Sequence, residues 1–111
     1  MNWIALTTED QLIDITDKSF LTPQVIFKHS TTCSISSMAL NRLERAETPD
    51  NVDFYYLDLL KFRNIAIAVA EKFDVQHESP QVIILKNGVC IYDESHYAIS
   101  MVDIAEQVAN A

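Results

Sequence analysis

The stretch Gln24-Val25-Ile26-Phe27-Lys28-His29-Ser30-Thr31-Thr32-Cys33-Ser34-Ile35-Ser36 decides how the rest of the chain is read. Its first half is a short apolar run entered through Pro23, which reads as a mostly buried strand over 24–29. Its second half puts one cysteine among small hydroxyl residues, just before Ile35, Met38, Ala39, Leu43 and Ala46 fall at helical spacing. A strand therefore runs straight into a helix with Cys33 at the junction. The spacing to Ser36 is that of a redox Cys-x-x-Cys pair whose second cysteine is a serine.

The rest of the chain alternates in the same way. Upstream, Thr8-Glu9-Asp10-Gln11 has the form of a capping box, which predicts a helix near 8–18 with Leu12, Ile13 and Ile15 following. Downstream of Pro49, the aromatic and branched residues of Val52–Leu59 predict a second strand. A third helix near 63–74 carries Ile65, Ala66, Val69 and Phe73 on one face. Gln81–Lys86 and Val89–Tyr92 flank Asn87-Gly88, the pattern of a hairpin whose turn residues both need positive φ. Ser100 then caps a last helix that turns Met101, Ile104, Ala105 and Val108 inward.

Strands separated by helices pair in parallel through crossovers, whereas the hairpin adds an antiparallel pair. The order predicts an α/β fold: a mixed sheet of four strands with helices on both faces, and Trp3–Leu6 as a candidate fifth strand. No repeat or internal boundary divides it, so one domain over 1–111 is expected.

Composition narrows the function. With 49% hydrophobic residues, one glycine and three prolines in 111 residues, the chain is suited to a packed core rather than to disorder. Sixteen acidic residues against eight basic ones give a net charge of −8, which disfavours nonspecific nucleic-acid binding and adhesion to anionic membranes. The first ten residues lack a basic region and an apolar core of the secretory type, and no run approaches the roughly 20 apolar residues of a membrane span. Two cysteines are too few for a disulfide scaffold. A reducing, cytoplasmic compartment is the expectation.

In the predicted sheet, Cys33 lies at the carboxyl end of a strand and the start of a helix, where ligands and chemistry gather in open α/β sheets. The free N–H groups and partial positive charge of a helix start favour a thiolate. Lys28 and His29 could add positive potential, although strand alternation allows at most one of them to point toward the sulfur. Ser30, Thr31, Thr32 and Ser34 are small enough to leave it accessible. The bland alternative is an inert cysteine at a helix start. Cys90, inside an apolar strand, reads as a small core residue, with a distant resolving thiol as the sharper alternative. Pro80 is either an ordinary edge-strand start or a cis-proline facing the nucleophile.

The order of strand, Cys-x-x-Ser, helix, strand, helix, Ser79-Pro80 and Asn-Gly hairpin resembles the thioredoxin fold along essentially the whole chain. More narrowly, Phe27 to Ser36 followed by Met38-Ala39 resembles the YtxJ-like monothiol bacilliredoxins, whose motif is Thr-Cys-Pro-Ile-Ser. Thr32, Cys33, Ile35 and Ser36 match, and Ser34 stands in the place of the proline. The resemblance implies removal of bacillithiol from mixed disulfides on proteins, with Cys33 as nucleophile and Ser36 donating a hydrogen bond to its thiolate. It also implies a cis Ser79-Pro80 bond. Thr32, Ser34, Ser79 and Pro80 would line the groove for the mixed disulfide, and Lys28 or His29 would contact a bacillithiol carboxylate unless they are solvated surface charges. Bacillithiol would be a co-substrate, with no bound cofactor and no metal. The expected partners are bacillithiolated proteins and a low-molecular-weight thiol, with the chain acting as a monomer or weak homodimer in a stress response. Two rivals remain open: a glutathione-using monothiol glutaredoxin, some of which share an iron–sulfur cluster across a dimer, and a redox-silent thioredoxin-like binding module.

Overall fold

A computed structural model describes residues 1–111 and places five strands in one mixed sheet. The elements run β1 (Trp3–Ala5), α1 (Asp10–Lys18), β2 (Gln24–His29), α2 (Ser34–Arg45), β3 (Asp53–Asp58), α3 (Arg63–Lys72), β4 (Gln81–Lys86), β5 (Val89–Ser95), a 3-10 turn (His96–Ala98) and α4 (Met101–Ala109). Across the sheet the order is β1-β3-β2-β4-β5. The first three of these pair in parallel, and β4 and β5 join antiparallel. The candidate fifth strand at Trp3 is present, and no helix is long and apolar enough to cross a membrane.

The central position of β2 explains its composition. A strand covered on both faces must be buried at every position, and all six residues of β2 are. Alternation sends Ile26 to a core shared with α1 and α3, where it meets Leu12, Ile15, Leu57, Ile65 and Val69. Val25 and Phe27 go to the opposite core, against Ala39 and Leu43 of α2 and Ile99, Met101 and Ile104 from the α4 side. Lys28 and His29 continue the alternation, so the reading of these two as solvated surface charges does not hold: they are 0% and 4% exposed. A charged strand end looks like a surface in sequence. Here it is the middle of the sheet.

Three local expectations are modified. The capping box forms only by half: Gln11 Oε1 accepts from the N–H of Thr7 at 2.8 Å and of Thr8 at 3.0 Å, but α1 starts later, with Glu9 at its cap and no side-chain bond there. β5 extends to Ser95, past the predicted Tyr92, because its ladder with β4 continues to the Gln81–Ser95 pair. The third helix closes at Lys72, before Asp74, whose φ is 53°. The Asn-Gly turn is as expected, with φ of 54° at Asn87 and 79° at Gly88. It is pinned to the end of α1: Asn87 N–H donates to Ser19 O at 2.9 Å, and Gly88 N–H to Ser19 Oγ at 2.8 Å. Ser100 Oγ caps α4 by accepting from Asp103 N–H at 3.2 Å.

Candidate active site

Cys33 is the N-cap residue of α2, with extended backbone (φ −105°, ψ 123°) and a part-exposed free thiol. Its C=O accepts the first helical bond, from Ser37 N–H at 3.0 Å, and its own N–H donates to Ser30 O at 3.2 Å. The short Ser30–Thr32 connection is therefore a closed turn that holds the sulfur at the end of β2. The N–H groups of Ser34, Ile35 and Ser36 precede the helical ladder and face the cap end. With Thr31, Thr32 and Ser34 exposed, the approach to the sulfur is open, whereas Ser30 is turned inward.

Ser36 departs from its expected contact. It is wholly buried, and its hydroxyl bonds to His29 Nδ1 at 2.6 Å and accepts from Ser30 N–H at 2.9 Å, rather than bonding the sulfur. The two residues that decide this, the last of β2 and the third of α2, are brought together by the tight turn between them. Of Lys28 and His29, at most one of which could point toward the sulfur, His29 lies on the α2 side of the sheet, bonded to Ser36. Its ring stacks on Phe27 at 5.9 Å and lies 5.6 Å from the ring of Tyr56. Burial lowers its pKa, against the opposing pull of Asp58, the Ser36 hydrogen bond and Glu44.

Lys28 points to the other face, where Nζ lies 3.2 Å from His77 Nδ1. Desolvation lowers its pKa to about 8, opposed by Glu78 and Asp93. His77 is lowered too, first by burial and then by the charges of Lys28 and Arg63. Sequence reading missed His77; the available signal was a histidine in the polar loop that leads into Ser79-Pro80. The same imidazole edges a cleft of about 360 Å³ between that loop and α3, with Leu59, Arg63 and Ile67 on its wall.

The Ser79-Pro80 bond is cis. Neither the N–H nor the C=O of Ser79 enters a backbone hydrogen bond, and its buried Oγ has no partner. That leaves a bend just before β4 with free main-chain pairing groups. Pro80 O accepts from His96 N–H at 3.1 Å, and His96 takes a left-handed φ of 59°, a tie between the cis-proline and the turn after β5 that the residue pattern does not announce.

Cys90 is half-buried against the α1/α3 core, and its thiol donates to Tyr92 O at 3.4 Å. Burial raises its pKa, which keeps it a thiol. It stands opposite Leu85, which stands opposite Gln24 at the start of β2. From there to His29 is five residue steps of about 3.3 Å, or about 16 Å, before the turn to Cys33 begins. The two sulfurs lie at opposite ends of the sheet, beyond the reach of a disulfide. No group of three or more His, Cys, Asp or Glu side chains is placed to hold a metal ion.

Residues 4–104 match the family model described as monothiol bacilliredoxin BrxC. Among solved structures, a proposed oxidoreductase with a thioredoxin fold is similar at 29% identity and a TM-score of 0.78, over 94% of this chain and 91% of that one. Thioredoxin from Trypanosoma brucei brucei shares 14% identity with a TM-score of 0.76, over 98% and 89% of the two chains. Thioredoxin from Fasciola hepatica shares 17% with a TM-score of 0.71, over 96% of each. These last two speak for the fold alone.

Proposed function

The chain belongs to the monothiol bacilliredoxin family, a thiol oxidoreductase by family and fold, and from that premise we propose that it removes bacillithiol from protein mixed disulfides through Cys33. The observation that carries this reading is the placement of one accessible sulfur at the start of α2, with a buried serine where a resolving cysteine would stand. The Cys33 thiolate attacks the bacillithiol sulfur of the modified protein. The protein–bacillithiol S–S bond breaks, a Cys33–bacillithiol S–S bond forms, and the reduced protein leaves as thiolate and takes up a proton. A second thiol, free bacillithiol, then attacks the bacillithiol sulfur of that adduct, releasing Cys33 thiolate and oxidised bacillithiol.

The free N–H and C=O of Ser79 support a role in pairing with the extended segment that carries the disulfide, beside Pro80 and next to the end of β2 that leads to Cys33, since Gln81 pairs with Lys28. Lys28 is buried on the far face, which favours Thr32, Ser34 and the Ser79-Pro80 backbone over Lys28 as substrate contacts. A cytoplasmic role in stress response, with bacillithiolated proteins as partners, belongs to the same reading.

Intact mass after incubation with a bacillithiolated model protein tests it. Wild type and Cys90→Ala gain one bacillithiol and release reduced protein, and Cys33→Ser does neither. An adduct on Cys33→Ser, or none on wild type, overturns the reading. The same assay with glutathionylated protein reports which small thiol is preferred.

A further inference from the structure

We propose that His29 is a positioning residue for the Cys33 sulfur, and that it acts by deciding where the Ser36 hydroxyl sends its proton. The inference rests on Cys33 being the reacting sulfur. A hydroxyl has one proton to donate and two lone pairs to accept with. At Ser36 one lone pair is taken by Ser30 N–H at 2.9 Å, and the remaining bond is the 2.6 Å contact with His29 Nδ1. Two arrangements satisfy that contact. With Nδ1 bare, the Ser36 O–H donates to the ring. With Nδ1 protonated, the ring donates to Ser36 Oγ, both lone pairs are filled, and the hydroxyl proton must find another acceptor.

Ser36 is wholly buried, so water does not supply that acceptor. Cys33 lies three positions earlier at the cap of the same helix, where residues at that spacing share a face with Cβ atoms about 5–6 Å apart. In the structure Ser36 does not bond the Cys33 sulfur. Once the hydroxyl proton is released, the Cys33 thiolate, a charged acceptor, takes it in preference to the neutral carbonyls of the preceding turn, and that bond favours its charged form. The coupling is reciprocal. A thiolate on Cys33 draws the Ser36 proton and so favours hydrogen on Nδ1, while a capped sulfur returns the proton to the ring and moves the ring hydrogen to Nε2.

Burial keeps the imidazole neutral near neutrality, where its two tautomers compete. The groups that face it are Asp58, its register partner in β3, Tyr56 of the same strand, and Glu44 of α2. None of these occupies Nδ1, whose partner is Ser36. A new mixed disulfide on Cys33 would therefore be felt at His29 as a change of tautomer.

The test is the nitrogen NMR of the His29 ring in the full chain at a pH where Cys33 is a thiolate, before and after capping with methyl methanethiosulfonate. That reagent caps any accessible thiol, so the result does not depend on bacillithiol being the substrate. Reduced protein is expected to show hydrogen on Nδ1 and capped protein on Nε2. The tautomer ratio should change by at least about tenfold, the lower end of what one hydrogen bond to a charged group is worth. Cys90→Ala should show the same change, and Ser36→Ala should show none. An unchanged ratio in wild type overturns the inference, as does a change that persists in Ser36→Ala, because the signal would then travel by charge alone. Wild type supplies the deciding comparison even if Ser36→Ala does not fold. A tautomer change without bacillithiol transfer would sink the proposed reaction and leave this coupling standing.

Discussion

Lys28 Nζ lies 3.2 Å from Nδ1 of His77, so a wholly buried amine at the end of the central strand is paired with an imidazole. Its charge is desolvated without a carboxylate bonded to it, which is why its pKa falls to about 8. A base lowered from 10.5 to about 8 binds its proton more weakly folded than unfolded. It therefore costs stability below pH 8, and the cost fades as pH rises toward 10.5. Lys28→Met is expected to be more stable than wild type at pH 7 by about 1–3 kcal/mol. Urea melts at pH 7 and pH 10 check this: the gain must shrink at the higher pH, and equal gains would contradict the assignment.

His29 and His77 act in the opposite pH range. Both are lowered by burial, so the unfolded chain takes up their protons first as pH falls. Their contribution is intact above the unfolded value of about 6.5 and is lost as pH drops through the folded values. His77→Gln should flatten part of the acid limb of a stability–pH curve. A limb unchanged from wild type would show that His77 does not contribute.

Ser36→Cys should restore a two-sulfur site. After reaction with a mixed disulfide, the variant is expected to carry an internal disulfide between Cys33 and the introduced sulfur, seen in intact mass as the loss of two hydrogens and of the small thiol. It should also be less stable by about 1–3 kcal/mol, because the Ser30 N–H loses an oxygen acceptor in a dry setting. A variant that retains the small-thiol adduct would show that the introduced sulfur cannot reach Cys33.

Cys90→Val should leave thiol transfer unchanged and alter stability by less than about 1.5 kcal/mol, because the added bulk is about one methyl group at a half-buried position. Loss of transfer with a normal melt would assign Cys90 a chemical part.

Gly88→Ala should cost about 1–2 kcal/mol, since φ is 79° and a side chain there meets the Phe20 ring at 3.1 Å. Transfer by Cys33 should not change, because the turn is fastened to Ser19 at the far end of the sheet. Denaturant melts and the transfer assay separate the two effects.

Much of this was legible from residue order. Periodicity and turn residues carried the helices, the hairpin and the strand-to-helix junction at Cys33, because each depends on neighbours a few positions apart. The cis Ser79-Pro80 bond came from the family resemblance, since a proline opening a strand has two ordinary readings. What was not legible depends on contacts across the chain. Lys28 and His29 look like a polar strand end until β3 and β4 are known to flank them. The bond between Ser36 and His29 joins two elements through a turn whose geometry spacing does not encode. His77 acquires meaning only from Lys28, forty-nine positions away.

The separation of Cys33 and Cys90 also has a kinetic consequence. A chain with paired sulfurs can hold an oxidising equivalent internally and pass it on later. This one has no such store. On the proposed chemistry, the fraction of chains carrying an adduct would follow the ratio of modified protein to free small thiol from moment to moment. Such a chain keeps no memory of past oxidation once the surrounding thiol pool has recovered.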